Sequence, residues 1–216
     1  MTFLIPDTPP PVLLSLDFAS PPPNVEVPPG GSIANGGLLF PVDAQDTAAG
    51  LPLGGVSFRD AIFETQLRLV EGDANDLYGV FVRRAETGRY VCFALSTDGR
   101  VVIRHFDGQQ FQAVMDGGLA PDMRFLPGLD AANLFHVVAC GPQLTFILNG
   151  MVVFGVTVER GLAQGELGTF VHHGLSSAVA VVRTDWCQVR AVLPPLRPVH
   201  DMDDGVQLEV SRTDLG

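Results

Sequence analysis

Apolar and polar residues alternate in short runs over most of this chain, and the clearest run is Asn133 to Val158, NLFHVVACGPQLTFILNGMVVFGVTV. Three apolar stretches are separated there by two tight turns, Gly141-Pro142 and Asn149-Gly150. Asn-Gly between alternating runs is a strong hairpin signal, because a type I′ turn needs φ > 0 at both central residues. Gly before Pro suits a type II′ turn, with proline fixing the second φ. The pattern therefore predicts a three-stranded antiparallel meander. Leu144, Phe146 and Leu148 face one way, and Thr145, Ile147, Val152 and Phe154 face the other.

The same reading extends in both directions. Strands are expected at Val12 to Phe18, Gly37 to Val42 and Phe58 to Val70. In the last of these, Phe63, Thr65, Leu67 and Leu69 share one face and Glu64, Gln66 and Arg68 the other. Three more follow at Leu77–Arg84, Tyr90–Ser96 and Arg100–Phe106. The second and third are joined by Thr97-Asp98-Gly99, a three-residue loop with Gly99 in the left-handed region. Phe111–Met115, Gly168–His172 and a strand pair within Ala178–Leu193 complete the set, with Val206 to Val210 as an edge strand. Asp43 to Gly55 reads as a loop, and Gly117 to Ala132 as a loop with room for one helical turn. No amphipathic helix of ordinary length and no repeat of fixed period is evident. About a dozen strands with tight turns imply an all-β, two-sheet antiparallel sandwich. Residues 1–11 form a Pro-rich arm, 12–193 the sandwich domain, and 194–216 a Pro-rich, then acidic tail.

Composition narrows the partners. Apolar residues make up 46% of the 216, enough for a sizeable core, and the net charge is -11. A chain this acidic does not suit nucleic acid or anionic membranes, which select basic patches. Every one of the 13 basic residues is arginine, so any cationic contact is a planar, fork-shaped one. No segment approaches the ~20 apolar residues of a membrane span. Met1-Thr2-Phe3-Leu4-Ile5 runs into Pro6 without a basic leader, which reads as a cytoplasmic chain, or an extracellular one if it is a processed form. Cys92, Cys140 and Cys187 are far apart within predicted strands and are expected to be buried thiols, with one disulfide among them as the alternative. Trp186, the single tryptophan, is expected in the core.

A family resemblance sits on Leu16-Asp17-Phe18, Leu67 to Gly72, Tyr78 to Arg83, Tyr90 to Phe93, Asp98-Gly99-Arg100, Asn133 to Ala139, Leu148-Asn149-Gly150 and Gly165 to Gly168. Together these resemble concanavalin A-like (laminin G-like) jelly rolls, over roughly residues 12–192. The bacterial branch with 3-keto-disaccharide hydrolase (DUF1080) domains is the most similar. The resemblance implies a jelly-roll fold of the lectin/glucanase type. Its motifs are strands, turns and glycines, and one fold hosts many functions.

Candidate chemistry is sparse. Glycosidases on this fold carry clustered strand carboxylates, because acid and nucleophile must flank one bond at ~5–5.5 Å. No such run occurs, and Glu64 is the one strand carboxylate near an open face. There is no GxSxG nucleophile elbow. Glu71, Asp73, Asn75 and Asp76 form an oxygen-rich loop, which reads as a solvated acidic turn or, less well, as a calcium site through Asp73, Asn75 and Asp76. No other cofactor is implied. His172-His173 point to opposite faces of a strand and cannot share one ion, so one is expected at the surface and one packed.

Register supplies the strongest constellation. If Ser96 faces Arg100, then Leu95 meets Val101, Phe93 meets Ile103 and Val91 meets His105 on the core side. The other face gathers Phe81, Arg83, Tyr90, Arg104 and Phe106. Aromatics beside arginines on an open sheet can stack on sugar rings or anchor a protein. These observations lead to an expectation of a non-catalytic binding module, an accessory or adaptor subunit for a protein partner, with a homo-oligomer or larger assembly as its setting. A carbohydrate-binding domain and a glycoside-processing hydrolase are the alternatives.

Overall fold

The structure, a computed structural model, describes residues 9–192 apart from 21, 23–24, 45–46, 121–122, 159–161, 163 and 175–178. The expected edge strand at Val206 to Val210 and the acidic tail lie outside the described residues. Pro10–Val192 form one compact unit.

Two antiparallel sheets make a jelly-roll sandwich. The larger has eight strands. Six follow in the order β12 (Met151–Thr157), β11 (Gln143–Leu148), β10 (Asn133–Cys140), β5 (Ala61–Glu71), β14 (Ala180–Ala191) and β3 (Gly37–Val42). β2 (Ser32–Ala34) pairs outside β3, and β1 (Val12–Leu16) pairs with the C-terminal half of β14. The smaller sheet runs β4 (Thr47–Pro52), β13 (Glu166–His173), β6 (Leu77–Arg84), β7 (Tyr90–Leu95), β8 (Arg100–Phe106) and β9 (Phe111–Gly118).

The meander forms as its turns dictate. Asn149 and Gly150 have φ of 48° and 84°, and Gly141 has φ of 53°. Gly99 has φ of 91°, and Ser96 N donates to Arg100 O at 2.9 Å, closing the three-residue turn. The resulting pairs Leu95–Val101, Phe93–Ile103 and Val91–His105 are those the turn implies. Along β5 burial alternates strictly, with Phe63, Thr65, Leu67 and Leu69 inward.

The core lies between the sheets. Phe93 of the smaller sheet sits 5.3 Å from Phe135 and 5.2 Å from Phe146 of the larger, ring centre to ring centre. Tyr78 packs edge-on against Phe135 at 5.8 Å, and its hydroxyl accepts a hydrogen bond from Asn133 Nδ2 at 2.9 Å. Asn133 Oδ1 accepts from Leu126 N and from Asn149 Nδ2, so one buried amide ties the 119–132 connection to the Asn149 turn. Thr169 and Thr184 join hydroxyls across the sheets at 2.9 Å.

Several expectations are corrected. Thr47–Pro52 is a strand, not a loop: its Ala and Gly residues carry little strand preference, but β13 pairs with it along its length. Ala180–Ala191 is one 12-residue strand and not a pair. No helix is present among the described residues of 117–132. Trp186 is half-exposed and outside the core. A bulge leaves Asp185 unpaired on β14 between Thr184 and Trp186, and the extra residue shifts the alternation. Another irregularity, opposite Phe146 and Ile147, sets Phe154 against Phe146 on the core side, while Val152 stays outside. Cys92 and Cys187 are buried, but Cys140, at the end of β10, is exposed.

Candidate functional site

The outward face of the smaller sheet is paved with aromatic rings. Pairing sets Phe81 beside Cys92, Cys92 beside Arg104, Tyr90 beside Phe106, and Phe106 beside Phe111. Tyr90 is the hub, with ring centres 5.2 Å from Phe106, 5.7 Å from Phe81, 6.1 Å from Phe111 and 6.4 Å from Phe170. These are tilted or edge-on contacts, the arrangements the ring quadrupole favours. Leu77, Cys92, Ala94 and Val102 join Phe81 and Phe170 in a second apolar cluster, separate from the core, against which Tyr90 and Phe111 pack. Glycine makes room for it. A β-carbon on Gly168 would lie 2.8 Å from the Phe81 ring, and one on Gly50 3.0 Å from it.

Polar groups border this pavement. The Arg84 guanidinium stands 5.5 Å above the Phe81 ring, and its Nε lies 3.1 Å from Glu166 Oε2. Arg104 stands 5.9 Å from the Phe111 ring centre. Arg100 binds Asp116 through two contacts of 2.7 Å on the neighbouring edge. At one end the face opens into a cleft of about 900 Å³, lined among others by Ala48, Ser57, Arg84, Glu86, Tyr90 and Glu166. Burial pushes the Tyr90 phenol well above its ordinary value, the Cys92 side chain adds to this, and Arg84 opposes it only in part. The ring thus offers a neutral, half-buried hydroxyl-bearing surface to the cleft.

Four of the five residues expected to cluster do so: Phe81, Tyr90, Arg104 and Phe106. Arg83 does not. Its φ of 63° interrupts the ladder, and Ala85 N bonds to Arg89 O beyond it. Two residues then occupy the space of one, and Arg83 turns away, 2% exposed, with Nη2 donating to Gly141 O at 2.8 Å. Arg84 takes the outward place that regular alternation assigns to Arg83. Phe111 and Phe170 join the pavement on the face that alternation and pairing give them, whereas Glu166 and Glu86 give no local signal.

The acidic loop is corrected as a calcium candidate. Asp76 is fully buried and turned inward: Asp73 N donates to its Oδ2 at 2.7 Å, Gly174 N donates to its Oδ1 at 2.7 Å, and His173 Nδ1 lies 2.9 Å from that Oδ1. Asp73 accepts from Asn75 N, and its side chain thereby closes the turn. Among the described residues no three His, Cys, Asp or Glu side chains are grouped to hold a metal. His173 is packed and His172 half-exposed. Glu64 lies on the outer face of the other sheet, 3.3 Å from His136 Nδ1 and 3.9 Å from Arg190 Nε. It is not alone as a strand carboxylate, since Asp116 lies on β9 and Glu166 opens β13.

No family model matches the sequence, and no curated protein does at a significant level. Solved structures match well. The β-glucanase of Bacillus licheniformis superposes with a TM-score of 0.63 at 6% identity, over 83% of this chain and 98% of that one. The catalytic domain of an endo-1,3-β-glucanase (laminarinase) of Thermotoga petrophila gives 0.60 at 10%, over 84% and 97%. A carbohydrate-binding module of Bacillus subtilis gives 0.51 at 12%, over 65% and 80%. The fold is therefore the concanavalin A-like jelly roll of the glucanase type, and nothing in these likenesses supports the narrower one to 3-keto-disaccharide hydrolases. They also correct the functional expectation. These proteins are named for acting on or binding carbohydrate, so the adaptor for a protein partner gives way to the carbohydrate alternatives. The expectation of no enzymatic activity falls with it, because two of the three are catalytic.

Proposed function

We propose that the protein recognises carbohydrate, holding a neutral glycan of the β-glucan class in the cleft over the smaller sheet. The observation that carries this reading is the half-buried Tyr90 ring at the centre of an aromatic pavement, opening onto a cleft whose rim offers Arg84, Glu86, Glu166 and Ser57. Sugar rings present apolar C–H faces and a belt of hydroxyls. The open part of the Tyr90 ring, the one aromatic lining the cleft, answers the first, and charge-bearing side chains that both donate and accept answer the second. The cleft pairs Arg84 with Glu166, so it carries no unmatched cationic charge there and suits a neutral ligand better than an acidic one.

Titration calorimetry with soluble laminarin and mixed-linkage β-glucan tests this. Binding is expected, and Tyr90→Ala should weaken it by about tenfold or more, as truncation of a central ring does. Absence of binding to a panel of neutral glucans, or an unchanged affinity in a folded Tyr90→Ala protein, overturns the assignment. Glycoside processing in the same cleft is the second reading, favoured by the two carboxylates Glu86 and Glu166 that line it. A hydrolase needs two such groups flanking one glycosidic bond. Release of reducing ends from the same glucans, lost in both Glu86→Gln and Glu166→Gln, is the outcome that supports it.

A further inference from the structure

The larger sheet ends at β12 in an edge without charge. No Asp, Glu, Lys or Arg stands between Asp130 and Glu159, the run that makes β10, β11 and β12. In a chain of net charge -11 this leaves one margin of the sandwich neutral. Val152 on its outer face is 61% exposed, and Thr145 and Ile147 on the same face are half-buried. On the inner side Phe154 and Val156 pack on the core yet are only partly buried, so the core itself opens at this edge. Among the described residues no strand pairs with β12 beyond β11.

The other edges are guarded as exposed strands generally are, by charge, proline or brevity. β9 carries Asp116, 2.7 Å from Arg100 and 3.8 Å from Arg104. β1 and β2 have five and three residues, and β4 ends in Pro52. The one irregularity of β12 is the extra residue Val153, and from Phe154 onward the ladder is regular. Val158 N donates to Pro142 O at 2.8 Å. Antiparallel bonding alternates from there, so Thr157 and Gly155 turn their N–H and C=O groups away from β11. The fold does not itself require glycine at Gly155. Its φ is not in the left-handed region, and a β-carbon on it would meet only Leu144 O, at 3.9 Å. Glycine weakens a strand interior, and one of its uses there is to let another backbone come close.

We infer that β12 is the seam of a homodimer, in which it pairs antiparallel with β12 of a second copy. A two-fold axis at Val156 sets Gly155 against the partner's Thr157, and each such pair exchanges two hydrogen bonds. The two larger sheets then continue as one. A second copy is the occupant for two reasons. One strand supplies both halves of the contact, and two chains of charge -11 meet closely only where neither carries charge. A basic partner would find no carboxylate on this strand. Tyr90 and the cleft lie on the other sheet and stay open.

The test is light scattering and amide exchange on the full chain. A short paired edge makes a modest interface, so the mass should rise from 23.0 kDa toward twice that value between ~1 and ~100 μM. Gly155→Glu has open space in the single chain but sets two carboxylates beside the axis, and it should stay monomeric with a wild-type circular dichroism spectrum. Thr157→Pro, which removes an outward N–H and no backbone bond to β11, should do the same. In the wild type, exchange at the Gly155 and Thr157 amides should slow by about tenfold across that concentration range, a reading that needs no variant. A wild type still monomeric at ~100 μM overturns the proposal. So does a dimer that persists in folded Gly155→Glu, or one whose Gly155 and Thr157 amides exchange as fast as the monomer's. Protection of those amides at every concentration in a monomer gives the edge to another segment of this chain, and overturns it as well.

Discussion

At the scale of single residues, the two tyrosines report on the two apolar layers. Tyr78 stands in the core and Tyr90 in the aromatic pavement, and the chain has no others. Burial pushes the Tyr78 phenol up to about 12, with the Asn133 hydrogen bond opposing it, and pushes Tyr90 higher still. An unfolded tyrosine titrates near ~10. An absorbance titration should therefore show little tyrosinate at pH 11 in the folded protein and nearly complete ionisation at the same pH in denaturant. If one of the two titrates near 10 in the folded state, Tyr90 is open to water and the pavement is less closed than its packing implies. The residue scale is also where sequence reading missed most. Arg83 and Arg84 are identical in type and adjacent, and only backbone conformation decides which faces the rings.

At the scale of elements, the turns were legible and the bulges were not. Asn149-Gly150, Gly141-Pro142 and Thr97–Gly99 announce themselves because glycine and asparagine tolerate positive φ, and each sets the register of the strands it joins. The period-2 alternation of β5 likewise needs no structure to read. A bulge adds one residue without a compositional mark, and it reverses the faces beyond it. That accounts for Arg83 on β6, for Trp186 on β14 and for Phe154 on β12. The glycines of β13 are a further case. Gly168 reads as a weak strand residue, yet a β-carbon there would lie 2.0 Å from the Leu51 carbonyl oxygen of β4 and 2.8 Å from the Phe81 ring, so only glycine lets strand and ring approach. Gly168→Ala should therefore destabilise the protein by about 1–3 kcal/mol in urea unfolding, as overpacking does, whereas Gly128→Ala, where a β-carbon meets open space, is strained only by its φ of 93°. A Gly168→Ala protein with wild-type stability would mean that β4 at Leu51 and the Phe81 ring both have room to move, and that neither the strand pairing nor the pavement is close-packed.

At the scale of the whole molecule, the titrating groups predict a stability optimum near neutrality and tie it to both sheets. On the acid side His136, on the outer face of the larger sheet, is held below its ordinary value of 6.5 by burial, with Glu64 partly opposing. The unfolded chain then binds this proton more readily than the folded one, so stability is lost as pH falls through 6.5 toward the folded value. On the alkaline side Cys92 and Cys187 are pushed from 9.0 to about 12 by burial. The folded state keeps those protons longer, so stability is present below pH 9 and declines as pH rises beyond it, joined by the tyrosines above ~10. Urea midpoints should therefore be highest near pH 7.5 and lower at both pH 5 and pH 10.5. His136→Gln should flatten the slope between pH 7 and 5 and leave the alkaline limb alone. Cys92→Val should make the alkaline limb shallower, with Cys187 and the tyrosines keeping the rest of it, and leave the acid one alone. Cys92 lies under the pavement and not between the sheets, so its effect isolates one face of the molecule. An alkaline limb unchanged by Cys92→Val would place that thiol in contact with water, and the cleft would then extend across the pavement to β7 and β8.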